Sequence, residues 1–468
     1  MKIKLLILFI LLGVASGICA QLPQDVYKKT LKEVLSDIEK KYQIKLSYNE
    51  SIVRGVDVMY PSWRYRADIE PTLTNILMPL DMIFQKTGET SYQISRYNYY
   101  QRPVEEGEKH LEMLLAAYPS VELWEKRKTE LRQCFLEQIG LSPMPRKTPL
   151  NPVYTPVRKY DGYTVENVGI ETIPGVYLCG SLYRPVKGKG PFPAILSPHG
   201  HFNNPDLNGY GRYRPDQQYR CAMLAKMGAV VFSYEMFAYG ESLLQAETAD
   251  HRTGLALTIQ TLNSIRVIDF LTSLPFVDPG RVGVTGESGG GTQTFLLTAL
   301  DDRVTLSVPV VMVSSYFFGG CPCESGLPIH SCSEPGTNNA EIAAMASPRP
   351  LLVISDGDDW TKDVPEIEFP YLKKVYNLYG KERNVENVHF ANEGHDYGVS
   401  KRMAMYDFMA RHLGLNINTV KDKTGRIDES KVTIENYEAQ LVFGKEGKLP
   451  EAAVKGADSI REVLRSLQ

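Results

Sequence analysis

Arg281-Val282-Gly283-Val284-Thr285-Gly286-Glu287-Ser288-Gly289-Gly290-Gly291 is the stretch whose reading decides the fold. Its first five residues read as a strand. The run from Gly291 to Leu300 reads as a helix, so Gly286 to Gly290 form a sharp turn between the two. Strand, tight turn and helix, with a serine between glycines, is the setting of a nucleophile elbow. The glycines have a steric reason, since side chains beside a strained turn would strike the neighbouring strand and helix. The helix N-terminus adds a field that favours developing negative charge. Ser288 is therefore the candidate nucleophile. The competing reading is a glycine-rich structural turn.

A serine hydroxyl needs a base, expected in a loop after the last strand. Val388-His389-Phe390 reads as that strand, and Glu393-Gly394-His395-Asp396-Tyr397-Gly398 as the loop. His395 is the candidate base, while His389, inside the strand, reads as structural. The acid that orients the base should follow the preceding strand, Pro350 to Ile354. Asp359 in Ser355-Asp356-Gly357-Asp358-Asp359-Trp360 is the choice, with Asp358 second and Glu324 a remote alternative. The order Ser288, Asp359, His395 is that of α/β-hydrolases rather than of the common serine proteases. The oxyanion donors are expected to be the backbone N–H groups of Gly289 and His201, the latter in the loop Pro198-His199-Gly200-His201 after the strand Ala194 to Ser197. His199 and His201 as a lone H-x-H pair lack partners for a metal. No metal and no cofactor are expected.

Outward from these motifs, strand-like and helical runs alternate from about 150 to 413, which argues for an α/β fold with a mainly parallel, doubly wound sheet. Glu235-Met236-Phe237-Ala238-Tyr239-Gly240-Glu241-Ser242 looks like the Asp-x-x-Gly-x-Gly-x-Ser loop of α/β-hydrolases and is read as structural. Upstream, Leu31, Val34, Leu35, Ile38 and Tyr42 recur at helical spacing. Ile44 to Tyr48 alternates, a second helix carries Ile69 to Leu77, and strands follow near 82–85 and 92–95. The expected organisation is a signal peptide over 1–20, a small α+β domain over 21–100, the catalytic domain over 101–415 and a C-terminal extension over 416–468.

The 468 residues carry a net charge of −3, with 43% apolar and 23% charged residues, the composition of an ordinary globular protein. The basic stripe that nucleic-acid binding requires is absent, so no nucleic-acid partner is expected. Lys2 and Lys4, the apolar run Leu5 to Val14 and Ala20-Gln21 read as a secretory signal, cut after Ala20; lipoprotein cleavage before Cys19 is the alternative. The expected location is across the inner membrane, in the periplasm or at the cell surface. Six cysteines remain after cleavage, in a compartment that permits disulfides. A Cys323–Cys332 bridge would staple the loop that also holds Cys321. Free thiols are the equal alternative, and the spacing does not suit a zinc site.

Thr30-Leu31-Lys32-Glu33-Val34-Leu35, Tyr42-Gln43-Ile44-Lys45-Leu46-Ser47-Tyr48 and Leu73-Thr74-Asn75-Ile76-Leu77 resemble the short N-terminal domain of secretins and TonB-dependent receptors. That resemblance implies a protein partner; an inert packing module is the other reading. Pro198-His199-Gly200-His201, Gly286 to Gly291 and Asp359-Trp360-Thr361-Lys362 resemble secreted carbohydrate esterases of gut Bacteroidetes, of the pectin methylesterase-like and acetyl xylan esterase-like kinds. The resemblance implies a cofactor-free esterase acting on a polysaccharide or oligosaccharide ester. Arg212 and Arg214, just after the oxyanion loop, would suit the carboxylates of a pectic backbone, which favours methyl-esterified uronic acids over acetyl esters. The reading from another class is a non-catalytic periplasmic interaction protein.

Overall fold

The computed structural model describes residues 28–468, apart from 60, 78, 79, 81, 97–99, 202–209 and 325–328. The expected signal peptide, with its alternative cleavage at Cys19, lies outside the described residues. The chain divides into two compact units, residues 1–97 and 98–468.

In the first unit the helix Leu31–Tyr42 begins at a capping box. The Thr30 hydroxyl accepts from the Glu33 N–H, and the Glu33 carboxylate accepts from the Thr30 N–H. Leu31, Val34, Leu35 and Ile38 form its buried stripe. They share a core with Leu73, Ile76 and Leu77 of the helix Ile69–Leu77 and with Tyr92 and Ile94. The last two lie on the strand Ser91–Arg96, which pairs with Lys45–Ser47 and Met82–Gly88 in a three-stranded sheet. A second, two-stranded sheet joins Lys28–Thr30 to Asp57–Met59. Its strands are too short for any alternation to be read.

The second unit is built on a ten-stranded sheet. In chain order its strands are β1 (Val153–Tyr154), β2 (Arg158–Lys159), β3 (Tyr163–Ile173), β4 (Val176–Pro185), β5 (Phe192–Pro198), β6 (Val230–Tyr234), β7 (Val277–Glu287), β8 (Leu306–Val310), β9 (Leu351–Asp356) and β10 (Val385–Phe390). They lie in the order β10-β9-β8-β7-β5-β6-β4-β3-β1, with β2 also on β3. From β10 to β6 every pairing is parallel, whereas the pairings among β6, β4, β3, β1 and β2 are antiparallel. The fold is therefore α/β with a mainly parallel sheet.

Alternate residues of the central strands feed cores on the two faces. On β9, Leu352 and Ile354 join Met405, Phe408 and Met409 of the helix Val399–Leu413, while Leu351 and Val353 join Phe295 and Leu296 of the helix Gly289–Leu300. On β5, Ile195 and its neighbours Ala194 and Leu196 divide in the same way. Parallel strands buried on both faces read as near-continuous apolar runs. No helix among the described residues is long and apolar enough to cross a membrane.

The cysteine pairing differs from the expectation. Cys332 bonds to Cys134 on the helix Val121–Gln138, and Cys323 bonds to Cys321, so no Cys323–Cys332 bridge forms. Cys332 and Cys134 are 198 residues apart, and their Cα atoms are brought to 5.7 Å by the fold alone. A bridge closing so long a loop removes much chain entropy from the unfolded state. Cys134→Ser should destabilise the protein by about 2–5 kcal/mol. Urea unfolding, compared with wild type in reductant and without it, checks this; an unchanged midpoint in the absence of reductant would show the bridge contributes nothing.

Candidate active site

Because β7, β8, β9 and β10 run parallel, the loops that follow them open at one edge of the sheet, the edge where α/β enzymes place their ligands. Ser288 follows β7, Asp359 follows β9 and His395 follows β10, and the topology thus brings the three to this edge.

Ser288 has φ 53° and ψ −124°, a region that a residue with a side chain enters only under strain. The strain is held by the Ser288 N–H, which donates to the Val310 carbonyl at 3.0 Å, and by the Thr292 N–H, which donates to the Ser288 carbonyl at 3.0 Å. The flanking glycines are required for space. A Cβ at Gly286 would lie 2.5 Å from the Pro198 carbonyl oxygen, and one at Gly290 would lie 2.7 Å from the same atom. At Gly289 it would meet Cε1 of the His201 ring at 2.6 Å, so that ring lies directly against the residue after Ser288.

His395 Nδ1 lies 2.6 Å from Asp359 Oδ2. The other Asp359 oxygen accepts from the Thr361 N–H and hydroxyl, which fixes the carboxylate. Trp360 packs on His395 with ring centroids 4.6 Å apart and stacks on Phe317 at 3.9 Å on its own account. Asp358 makes no such contact with His395; its N–H donates to Asp356 Oδ1, and its carboxylate lies beside Gly394. Asp356 is buried and paired with Lys401, whose Nζ also reaches the Gly394 carbonyl and Asp396. Burial, and then the neighbouring Asp359, raise the Asp356 carboxyl to about 6. Lys401 thus ties the His395 loop to the end of β9. The sequence reading missed it, although a lysine in the first turn of a helix opposes the helix dipole and is in itself a sign of another duty. His389 bonds to Ser355 inside the sheet, as suits a structural residue.

Beneath the elbow, Glu287 is fully buried. Its carboxylate accepts from the Gly200 N–H at 3.2 Å, from Arg220 at 2.7 Å and from Arg214. Burial alone would raise its pKa, but Arg220 and Arg214 overcome that and hold it at about 2. His199 is also buried. Its Nδ1 faces the Gly200 carbonyl at 2.8 Å and its Nε2 accepts from the Met236 N–H at 3.1 Å, while burial lowers its pKa to about 3. Both ring nitrogens are thus spent on shaping the loop that carries His201.

Arg212 and Arg214 do not line the cleft as expected of substrate-binding residues. Arg212 is 1% exposed. Its guanidinium donates to Glu235, Ser181, Glu241 and the Gln440 carbonyl, so every face of the fork is engaged. Arg214 is buried against Glu287 and Asp216. The reason is long-range. Glu235 and Glu241 lie in the loop after β6, and the C-terminal segment around Gln440 covers the pair, with Glu241 also accepting from the N–H groups of Val442 and Phe443. These arginines hold loops and segments together.

This sheet, with an elbow serine and an aspartate–histidine pair at its carboxyl edge, defines an α/β-hydrolase. Methylesterase BT1017, a solved structure, is 42% identical to this chain, with 96% of this chain and 99% of that one covered and a TM-score of 0.73. The chain belongs to the family of that methylesterase, and the protein is a carboxylic ester hydrolase. A stretch of 135 residues is 27% identical to "Putative hydrolase YtaP" of Bacillus subtilis (strain 168); it spans 27% of this chain and 45% of that protein, less than half its length. An acetyl xylan esterase from Paenibacillus sp. R4 shares 17% identity over 61% of this chain and 95% of its own, with a TM-score of 0.43, a likeness too slight to bear on chemistry. No protein-family model matches the chain.

The Glu287 carboxyl carries a pH signature. Its folded pKa lies below its ordinary value of 4.5, so its ion pairs stabilise the protein fully above that pH and are lost as the pH falls towards 2. The thermal midpoint of wild type should fall across this window. Glu287→Gln should begin lower at neutral pH and lose less over the same range; parallel profiles would contradict the assignment.

Proposed function

We propose that Ser288, His395 and Asp359 act as nucleophile, base and orienting acid in hydrolysis of methyl esters of uronic acids in a plant polysaccharide or oligosaccharide. The observation that carries the catalytic assignment is the 2.6 Å contact of His395 Nδ1 with Asp359, at the same sheet edge as the strained Ser288. With Nδ1–H donated to Asp359, Nε2 is left as the lone pair that takes the Ser288 proton. The Ser288 oxygen then attacks the ester carbonyl. The oxyanion forms where the N–H groups of Gly289 and His201 supply hydrogen bonds. His395 returns its proton to the departing methanol, and water, activated by the same base, frees the uronate from Ser288.

The methyl ester is favoured by the methylesterase among the relatives, at 42% identity over nearly the whole of both chains. The carbohydrate class is supported by the motifs around His201, Ser288 and Asp359. Arg212 and Arg214, being buried, lend nothing to this choice. The basic and apolar start of the chain supports secretion, and the first unit is proposed as a contact domain for a periplasmic protein.

Ser288→Ala should abolish turnover, and Asp359→Asn should lower kcat by about 10³–10⁴-fold, while Asp358→Asn stays within a few-fold of wild type. Equal turnover of an aryl acetate by wild type and Ser288→Ala would refute the serine mechanism. Methylated pectin and acetylated xylan, assayed in parallel, should yield methanol from the first well above acetate from the second. Acetate release alone would overturn the methyl-ester assignment and leave the serine mechanism intact.

A further inference from the structure

Beside the elbow, two histidines and two cysteines from three separate segments point their ligand atoms at one spot. They are His201 after β5, His251 on the short helix Thr248–Arg252, and Cys321 and Cys323 in the loop beyond β8. His201 Nε2 lies 2.8 Å from His251 Nε2, 2.8 Å from Cys323 Sγ and 3.5 Å from Cys321 Sγ, and His251 Nε2 lies 3.8 Å from Cys321 Sγ. All four atoms fall within 4.8 Å of one another.

The second nitrogen of each ring decides what these atoms are. His201 Nδ1 sits 2.9 Å from the Glu324 carboxylate, and His251 Nδ1 sits 2.6 Å from the Phe237 carbonyl. Carboxylate and carbonyl both accept, so each Nδ1 carries a proton, and in the neutral rings each Nε2 is a bare lone pair. Two lone pairs therefore face each other at 2.8 Å with two sulfurs alongside. Such a constellation repels itself unless a positive centre, a proton or a metal ion, lies between its members. An imidazole fixed through Nδ1 by a carboxylate or carbonyl, with Nε2 turned inward, is also how metal-bound histidines are oriented.

We propose that His201, His251, Cys321 and Cys323 bind one divalent cation of the zinc class. Two imidazole nitrogens and two thiolates make a soft, tetrahedral donor set of the kind zinc takes in structural sites. With metal–nitrogen bonds of about 2.0 Å and metal–sulfur bonds of about 2.3 Å, the tetrahedron has edges of roughly 3.3–3.8 Å. The separations of Cys321 Sγ from the two histidines already match, those at 2.8 Å open by less than ~1 Å, and the two sulfurs, bonded to each other in the disulfide, part on reduction. The metal form contains the reduced pair in place of the Cys321–Cys323 disulfide; a thiol or phosphine reductant supplies the two electrons, and solvent the two protons, that open the S–S bond. Two thiols and one M²⁺ give the bis-thiolate centre and release two protons to solvent. His251, Cys321 and Cys323 are buried and His201 is mostly so, which makes this a closed site whose role is to position. It fastens the His201 loop, whose ring lies against Gly289, to the cysteine loop. The proposal departs from the expectation of a metal-free protein.

The test uses the full chain, reduced with a phosphine, incubated with Zn²⁺ or Co²⁺ and freed of excess ion. Elemental analysis should find one metal per chain. The cobalt form should show intense tetrahedral visible bands and a thiolate-to-cobalt charge-transfer band. Denaturation in chelator, without reductant, should then release two more reactive thiols than a chain holding the Cys321–Cys323 disulfide. His251→Ala and Cys323→Ser should each weaken binding tenfold or more, whereas Cys179→Ser, a buried cysteine elsewhere, should not. Reduced wild type that holds no metal and gives no charge-transfer band overturns the proposal, and so does His251→Ala that binds as tightly as wild type. Should a variant fail to fold, the wild-type stoichiometry and spectrum still decide. None of these readings depends on ester turnover, so they stand apart from the fate of the catalytic assignment.

Discussion

A single carboxylate, that of Glu287, is buried at the end of β7 and gathers the segments that form the site. It takes the Gly200 N–H from the loop after β5, Arg220 from the helix Pro215–Lys226, and Arg214 from the N-cap of that helix. The next residue is Ser288. A buried charge in such a place costs several kcal/mol to desolvate, and removing one partner typically costs about 3–5 kcal/mol because the remainder is left uncompensated. The arrangement therefore tolerates no slack. The height of the elbow above the sheet and the position of the Gly200-His201 backbone beside it are set by the same carboxylate.

What could be read in the sequence follows from how local each signal is. The turn at Ser288, the loop of His395 and the strand before Asp359 announce themselves within ten residues, through glycines and apolar runs. The choice between Asp358 and Asp359 needed geometry, since adjacent side chains on one turn point in different directions. The arginines show the limit more sharply. Nothing near Arg212 in sequence says that Glu235, Glu241 and the carbonyl of Gln440 will surround it. A partner more than two hundred residues away cannot be inferred from spacing. The same holds for Cys134 with Cys332, and for His251, which no motif singles out.

The C-terminal extension illustrates the same point from the other side. Its composition shows no chemistry, yet it buries polar groups that the sheet alone would leave open. Glu435 takes Arg158 and the Tyr160 hydroxyl, and the carbonyls of Ala439 and Leu441 accept from the Asn167 side chain. Burial and then the adjacent Glu235 raise the Glu241 carboxyl to about 7, against the opposing pull of Arg212 and the N–H groups of Val442 and Phe443. A polar tail can thus be an integral cover when the antiparallel strands beneath it carry buried charge.

A glycine after a nucleophile is commonly ascribed to the strain of the turn, but here only Ser288 in the elbow takes positive φ, and Gly289 is the first residue of a regular helix. Its lack of a side chain answers to neighbours: a Cβ would strike the His201 ring at 2.6 Å and the Met236 methyl at 2.7 Å. The His201 ring is held through its two nitrogens by Glu324, His251 and the two cysteine sulfurs. The His199 ring, which receives the Met236 N–H, holds Met236 in its turn. The residue beside Ser288 is therefore glycine because the His201 ring, fixed by polar contacts, and the Met236 side chain, whose backbone is anchored to His199, press against its backbone. A larger residue there would displace the His201 loop even if the helix absorbed it without strain.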